Sequence, residues 1–532
     1  MTEWWRGAVI YQIYPRSFRD TDGDGIGDLP GVRERLAHVA ALGADGVWLS
    51  PFYPSPMADF GYDIADYTGV DPVFGTLADF DAVVAEAHRL GLKLIVDQVW
   101  SHCSDRHPWF EESRADRING KADWFIWADP KPDGAPPNNW QSVFGGPAWS
   151  WEPRRRQYYL HNFLAAQPDL NFHSPAVQDA ILDVARFWLD RGVDGFRLDV
   201  ANFYVHDASL ADNPARPDPD AYKPYSMQQH VHDRSRPETL DFMRRLRALL
   251  DGYDDRMAVA EIVSDRPLQR MAEYTGGPGP LHTAYSFVFL DAFGGARFVR
   301  DAVEAVSAHA PQAWPAWAFS NHDKARVLTR WGGPEAGART ACCLLALLAS
   351  LRGTAFVYQG EELGLPEADV PFERLQDPEG RTFWPTYKGR DGCRTPIPWR
   401  ADAANAGFGE GEPWLPVDPR HVPLAVDRQE DDPASTLNFA RHFLAWRKRH
   451  PALVTGDIRF LDTPEPVLAF ERRVDDGPVL VCAFNLGEAP VEVRLPGLSG
   501  TPTADTESGL DGTFDGQRAI LPGWGAAIGS LE

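Results

Sequence analysis

GFRLDVANFY, Gly195 to Tyr204, sets Arg197 and Asp199 into a run that is otherwise apolar and β-leaning. Side chains alternate faces along a strand, so Arg197 and Asp199 project to one side while Phe196, Leu198 and Val200 project to the other. Taking a charge pair out of water is expensive, which marks this strand as the carrier of something deliberate. The amphipathic helix AVQDAILDVARFWLDRG (176–192) leads straight into it.

The same rhythm extends in both directions. Before it lie VIYQIYP (9–15), GVWLSP (46–51) and LKLIVDQV (92–99), each an apolar run, with helical stretches at 33–43 and 77–91 between them. After it come MAVAEI (257–262), TAYSFVFL (283–290), WAFSN (317–321) and TAFVYQG (354–360). With GFRLDV these make eight βα units, which predicts an α/β fold of the (β/α)8 TIM-barrel type. The barrel is expected to occupy 1–100 and 173–455, with an irregular insertion at about 365–430 and a last helix at 435–450. Residues 101–172 break the rhythm with Pro, Gly, Trp and Asn, and read as a subdomain inserted after strand three. From 456 to 532, segments such as PVLAFERR, GPVLVCAFNL and VEVRLPG predict a small C-terminal antiparallel β-sandwich domain.

Composition narrows the partners. A chain of 532 residues, 44% hydrophobic and 24% charged, is that of a soluble globular protein with several structural units. A formal net charge of -24 repels nucleic acid and anionic membrane surfaces, so neither is expected as a partner. Nineteen Trp, 29 Phe and 15 Tyr supply ring faces of the kind that pack against sugars. Five cysteines without a CxxC pair suggest neither a disulfide framework nor a zinc site, and a reducing cytoplasm fits them. The opening MTEWWRGAVIYQIYP has no secretory pattern, and no stretch offers the about 18 apolar residues of a membrane span.

In a barrel of this kind the chemistry lies at the C-terminal ends of the strands. Asp97 and His102 follow strand three, Arg197 and Asp199 end strand four, Glu261 ends strand five, and Asn321, His322 and Asp323 end strand seven. Several carboxylates on one rim, with no phosphate cradle, suit glycoside hydrolysis, in which one ionised carboxylate meets the anomeric carbon and a protonated one serves the leaving oxygen. Arg197 should keep Asp199 ionised, whereas the apolar setting AVAEIV should raise Glu261 and keep it protonated.

The motifs DQVWSH, GFRLDVAN, AEIV and FSNHD, in that order, resemble the strand-end motifs of the α-amylase family of retaining glycoside hydrolases. QPDLN (167–171) resembles the further motif of its oligo-1,6-glucosidase and α-glucosidase branch, and WWRGAVIYQIYPRSF (4–18) and GRDGCRTPIPW (389–399) extend the likeness over nearly the whole chain. The resemblance implies Asp199 as nucleophile, Glu261 as acid/base and Asp323 as transition-state stabiliser, supported by Arg197, His102 and His322. In MADFGYDIADY it implies Asp59 as the residue that holds the terminal glucose and Tyr62 as a stacking platform, with Arg390 paired to Asp59; Phe144 and Phe163 are candidate pocket walls. Such a clamp implies an exo-acting α-glucosidase on small α-glucosides, needing no cofactor for catalysis. Transglucosylation or sucrose isomerisation on the same glucosyl-enzyme is the alternative, and a non-catalytic relative is disfavoured because all three acids are present. Val200 resembles the residue of α-1,6-cleaving members. Ser101 departs from the Asn that many members place before the histidine, which argues against an amylase-type calcium site there.

A second acidic motif lies far from these. DTDGDGIGD (20–28) spaces Asp20, Asp22, Asp24 and Asp28 as in the first half of an EF-hand, with the Ile26 carbonyl at position seven. Position twelve is Gly31 rather than Glu, so a true EF-hand is not expected, and the resemblance implies a structural Ca²⁺ or Mg²⁺ loop instead.

Overall fold

The computed structural model describes residues 3–218, 223–277, 279–291, 293–475 and 477–531. Eight parallel strands form the central sheet: β1 Val9–Ile13, β2 Gly46–Leu49, β3 Lys93–Gln98, β4 Gly195–Leu198, β5 Met257–Ile262, β6 Thr283–Ser286, β7 Ala316–Ala318 and β8 Thr354–Tyr358. They run in the order β7-β8-β1-β2-β3-β4-β5-β6. The two ends meet through a parallel bridge between Ala284 and Pro315, and Thr283 Oγ1 donates to the Trp314 carbonyl at 2.8 Å, so the sheet curls into a nearly closed barrel.

Strands covered on both faces carry continuous apolar runs, and each face has its own partner here. Ile10, Trp48, Ile95, Met257, Val259, Tyr285, Ala316 and Phe356 fill the barrel interior. Val47, Leu49, Leu94, Val96, Phe196, Leu198, Ala258 and Ala260 face outward into the layer of helices. Arg197 lies with the interior set, its guanidinium 4.9 Å from the Trp48 ring centre. Register matters more than composition: Asp97 pairs with Arg197 across β3 and β4, and Glu261 with Tyr285 across β5 and β6.

Strand six is shorter than its apolar run predicts. It stops at Ser286, and Val288–Asp291 turn helical, with Leu290 and Asp291 N–H groups donating to the Phe287 carbonyl at 2.9 and 2.8 Å. Phe289 and Leu290 reach the core from that turn, so burial overrides the strand propensity of the run. Strand seven likewise ends at Ala318, which frees Phe319 to Asp323 to form the rim.

Between β3 and β4, a small antiparallel sheet of Trp127–Ala128, Trp149–Glu152 and Gln157–Leu160 packs on a separate apolar cluster around Trp140 and Trp149. Bridges from His102 to Asp169 and from Phe125 to Leu170 fasten its flanks to the β3 end. After the barrel, five antiparallel strands (Asp457–Phe460, Val467–Arg473, Leu480–Asn485, Ala526–Leu531 and Pro502–Ala504) face a three-stranded sheet. Val467, Ala469, Val481 and Ala483 point to that second sheet, and Leu468, Phe470, Cys482 and Phe484 point to the barrel. Among the described residues no helix is long and apolar enough to cross a membrane.

Candidate active site

At the C-terminal rim of the barrel lies a cavity of about 240 Å³ whose lining includes Asp59, Tyr62, His102, Phe144, Phe163, Asp199, Glu261, Asp323 and Arg390. Arg197 and His322 sit beneath its floor, both 0% exposed. The eleven sugar-site residues expected from sequence therefore converge, nine on the wall and two below it.

Arg197 organises the floor. Its Nη1 donates to Asp97 Oδ1 at 2.8 Å and to Asp199 Oδ1 at 2.6 Å, its Nη2 donates to Glu261 Oε1, and its Nε and Nη2 reach the Tyr285 hydroxyl at 3.2 and 3.0 Å. Strand β4 ends at Leu198, and Val200 then takes a left-handed conformation, φ 34° and ψ 50°. For a β-branched residue this is costly, about 1–3 kcal/mol. It aims the Val200 N–H at Glu261 Oε2, 3.0 Å away.

This environment corrects two expectations. Glu261 does not sit in an apolar setting, because Ala260 and Ile262 face the opposite side of β5 while Glu261 accepts from Arg197, from the Tyr285 hydroxyl at 2.8 Å and from Val200. Asp199 is not driven down by Arg197: burial pushes its carboxyl well above the usual range, against the pull of that cation. Burial likewise raises Asp97 to about 6. Three carboxyl groups share one guanidinium, so Arg197 does not offset the burial of Asp97 and Asp199.

The far end of the cavity is a clamp. Arg390 Nη2 donates to Asp59 Oδ1 and to Asp377 Oδ1, both at 2.7 Å, while its Nη1 lies 3.3 Å from Asp323 Oδ1. Arg394 Nη2 donates to the same Asp323 oxygen at 2.9 Å. Burial works to raise Asp323, but the adjoining His322 ring, Arg390 and Arg394 outweigh it and hold the carboxyl well below the usual range. Asp59 is presented by a loop with left-handed Met57, Phe60 and Gly61, stapled by Asp63, whose carboxylate accepts the Ala58 and Asp59 N–H groups at 2.9 Å each. Backbone strain of this kind collects where side-chain aim matters.

His322 Nδ1 lies 2.7 Å from Gln12 Nε2 and its Nε2 lies 2.5 Å from the Tyr62 hydroxyl, which itself donates to Asp97 Oδ2 at 2.9 Å. Since the Gln12 amide nitrogen can only donate, His322 accepts at Nδ1 and carries its proton on Nε2, and its ring stacks on Tyr62 at 5.2 Å. Burial lowers His322 well below its ordinary value and brings His102 to about 4, so both rings are neutral at pH 7. His102 Nδ1 is 2.8 Å from Ser101 Oγ, and its Nε2 is 3.0 Å from the Tyr62 carbonyl.

Gln12, Asp63, Gln167, Tyr285, Asp377 and Arg394 belong to this constellation, although sequence reading did not single them out. Asp377 and Arg394 carried a signal in hindsight, a charged residue close to Arg390 in an otherwise irregular insertion. Gln167, which donates to Asp59 Oδ2 at 3.2 Å, lies in the quoted motif QPDLN. Tyr285 and Gln12 carried none, being ordinary strand residues until register places them.

The acidic loop lies apart. Asp20, Asp22 and Asp28 each bring one oxygen within 4.8 Å of the others, a donor set of hard oxygens that fits Ca²⁺ or Mg²⁺. Asp24 is outside that group, its Oδ1 accepting the Ile26 N–H at 2.7 Å. Burial, with the neighbouring acids adding to it, raises both Asp24 and Asp28, the frustration a cation would relieve. At Ser101, the nearby Asp169 carboxylate is occupied by the Asn162 backbone and side-chain amides, and burial lifts it to about 8. Among the described residues no metal-type acid cluster forms there.

A barrel with carboxyl groups gathered around a cavity at its C-terminal rim defines a class, and residues 12–456 match the family described as alpha amylase, catalytic domain. The chain belongs to the α-amylase family of glycoside hydrolases. Residues 460–528 match a C-terminal domain of unknown function, DUF3459. Over 99% of this chain and 97% of the relative, it is 52% identical to a probable alpha-glucosidase of Rhizobium meliloti (strain 1021). An oligo-1,6-glucosidase of Heyndrickxia coagulans is 37% identical over 93% of this chain and 94% of its own. The crystal structure of an alpha-glucosyl transfer enzyme, XgtA, superposes with a TM-score of 0.97 at 54% identity, covering all of both chains. The trehalulose synthase MutB of Pseudomonas mesoacidophila MX-45 superposes at 0.90 with 32% identity, again over the whole of both chains.

Proposed function

We propose that the protein is an exo-acting, retaining α-glucosidase that removes terminal α-linked glucose from short saccharides. The observation that carries the reading is the single guanidinium of Arg197, which holds Asp199 on one nitrogen and Glu261 on the other. A shared guanidinium keeps the two carboxyl groups near one another, which supports the close pair of a retaining enzyme, whose second carboxylate attacks directly. Asp199 attacks the anomeric carbon while Glu261 gives its proton to the glycosidic oxygen, and the bonding pair leaves with that oxygen. Glu261, now a carboxylate, takes a proton from water, whose oxygen displaces Asp199. Asp323 and His322 stabilise the oxocarbenium-like transition state, and Asp59 with Arg390 closes the glycone end, so only a chain terminus enters. Tyr62, His102, Phe144 and Phe163 line the glucose.

A second reading, transfer of the glucosyl group to another acceptor or sucrose isomerisation, is favoured by the wall beyond the acids, where Val200, Phe203 and Tyr225 form an apolar surface. Such a wall receives organic acceptors as readily as water. Val200 in that wall leans the linkage towards α-1,6. All five cysteines are free, in keeping with a reducing cytoplasm. The decisive assay is incubation with maltose, isomaltose and sucrose followed by NMR. Prompt α-glucose is the expected first product, and β-glucose as first product would overturn retention. Isomerised disaccharide without free glucose would establish the second reading.

The acidic loop is proposed as a structural divalent-cation site held by Asp20, Asp22 and Asp28. Binding only the folded state shifts melting by mass action, so EDTA should lower Tm by about 5 °C and calcium should restore it. The Asp22→Asn protein should melt at the lower temperature with or without EDTA. A wild-type Tm indifferent to EDTA would remove the metal from the account.

A further inference from the structure

Strand β6 contributes no charged residue to the rim, yet the Tyr285 phenol is among the most constrained groups in the site. Its oxygen lies 3.2 Å from Arg197 Nε and 3.0 Å from Arg197 Nη2, and 2.8 Å from Glu261 Oε1. A guanidinium has donors and no acceptor, so the phenol oxygen accepts from Arg197 and its one proton points at Glu261. The ring is fixed as well, being 1% exposed and packed on Phe356 at 6.0 Å. Burial pushes the phenol well above its ordinary value, so it remains a donor throughout the working pH range.

The two oxygens of Glu261 are thereby made unequal. Oε1 receives Arg197 and Tyr285, whereas among the described residues Oε2 receives only the Val200 N–H at 3.0 Å. We propose that Tyr285 is a positioning residue for the acid/base carboxyl: its phenol anchors Oε1, leaves Oε2 as the oxygen that gives and takes the travelling proton, and stabilises the carboxylate formed when the proton leaves. The proposal rests on Glu261 being the acid/base. A charge-assisted hydrogen bond is stronger than a neutral one, so Tyr285 stabilises the negative charge that Glu261 acquires as the glycosidic bond breaks.

The charged and titratable groups facing Glu261 are Arg197 and Asp199 from the β4 end, Asp97 from β3 and Tyr285 itself, with Asp323, Lys324 and Asp291 on the same cavity. Tyr285→Phe removes one hydroxyl and leaves the others in place. In this variant the basic limb of the kcat/KM–pH profile, which reports the acid of the free enzyme, should move up by about one pH unit. Methyl α-glucoside, whose leaving group needs a full proton, should lose about tenfold in kcat/KM, and p-nitrophenyl α-glucoside only about twofold. An unmoved limb with equal losses on both substrates would make Tyr285 a packing residue and overturn the proposal. Should the phenylalanine variant fail to fold, 3,5-difluorotyrosine at 285 keeps the shape and strengthens the donor, and the limb should then move down; an unmoved limb overturns the proposal here too. A wild-type protein inert towards both glucosides would overturn the functional reading and this one with it, whereas an active wild type with an unmoved limb in the variants overturns this one alone.

Discussion

Asp199→Ala should lose turnover by at least about 10⁴-fold while the protein melts no lower than the wild type. The second half of that result follows from charge. Asp97, Asp199 and Glu261 share Arg197, so removing one carboxyl lessens repulsion and buried charge instead of exposing a void. Azide makes the test chemical. In Asp199→Ala, azide occupies the emptied space, attacks the anomeric carbon of an α-glucoside once and expels the leaving group, which gives β-glucosyl azide. In Glu261→Ala with p-nitrophenyl α-glucoside, Asp199 still forms the β-linked glucosyl-enzyme because nitrophenolate needs little protonation. Azide then displaces Asp199 and gives α-glucosyl azide. NMR of the two products reads the roles directly, and the opposite pairing of variant and anomer would exchange them.

The second large effect belongs to Arg197. Arg197→Leu leaves three buried carboxyl groups without their cation, and breaking a buried pair from one side costs about 3–5 kcal/mol. The variant should therefore melt well below the wild type, and its kcat/KM should fall about 10³-fold because Asp199, the proposed nucleophile, stays protonated to higher pH. The loss has a sign in pH. Burial already raises Asp97 to about 6 and pushes Asp199 up, and a carboxyl raised in the folded state adds stability below its unfolded value that is lost as pH rises through the folded one. Removing the cation raises these groups further, so the gap in Tm between variant and wild type should be widest near pH 8 and narrow towards pH 5. Arg197→Lys keeps a charge but not the planar fork, and should recover part of the stability and little of the rate. A gap that stays constant with pH would mean that Arg197 contributes packing alone.

Much of this site could be read from the chain because the information was local. An apolar run carrying Arg197 and Asp199 at spacing two, a carboxyl at the end of β5 and a cluster at the end of β7 are statements about positions along single strands, and the barrel places every strand end on one rim. The acidic loop was legible for the same reason, although only Asp20, Asp22 and Asp28 of its four acids converge.

Reasoning from neighbours failed where the two faces of a strand differ. Ala260 and Ile262 made Glu261 look apolar, but residues one apart on a strand share no environment. The true surroundings of Glu261 come from Arg197, 64 residues away, and Tyr285, 24 residues away. Arg390 meets Asp59 across 331 residues and Asp377 across 13, within an insertion that has no regular period. Strand periodicity and strand-end motifs, which depend on covalent order, thus determined the barrel and brought out most of the residues that gather around its rim cavity. Tertiary structure alone decided that one guanidinium serves three carboxyl groups, that Tyr285 donates to Glu261 and that Asp377 and Arg394 join Arg390 around Asp59 and Asp323. Those depend on the register between strands and on where loops close, quantities fixed by packing over long sequence separations.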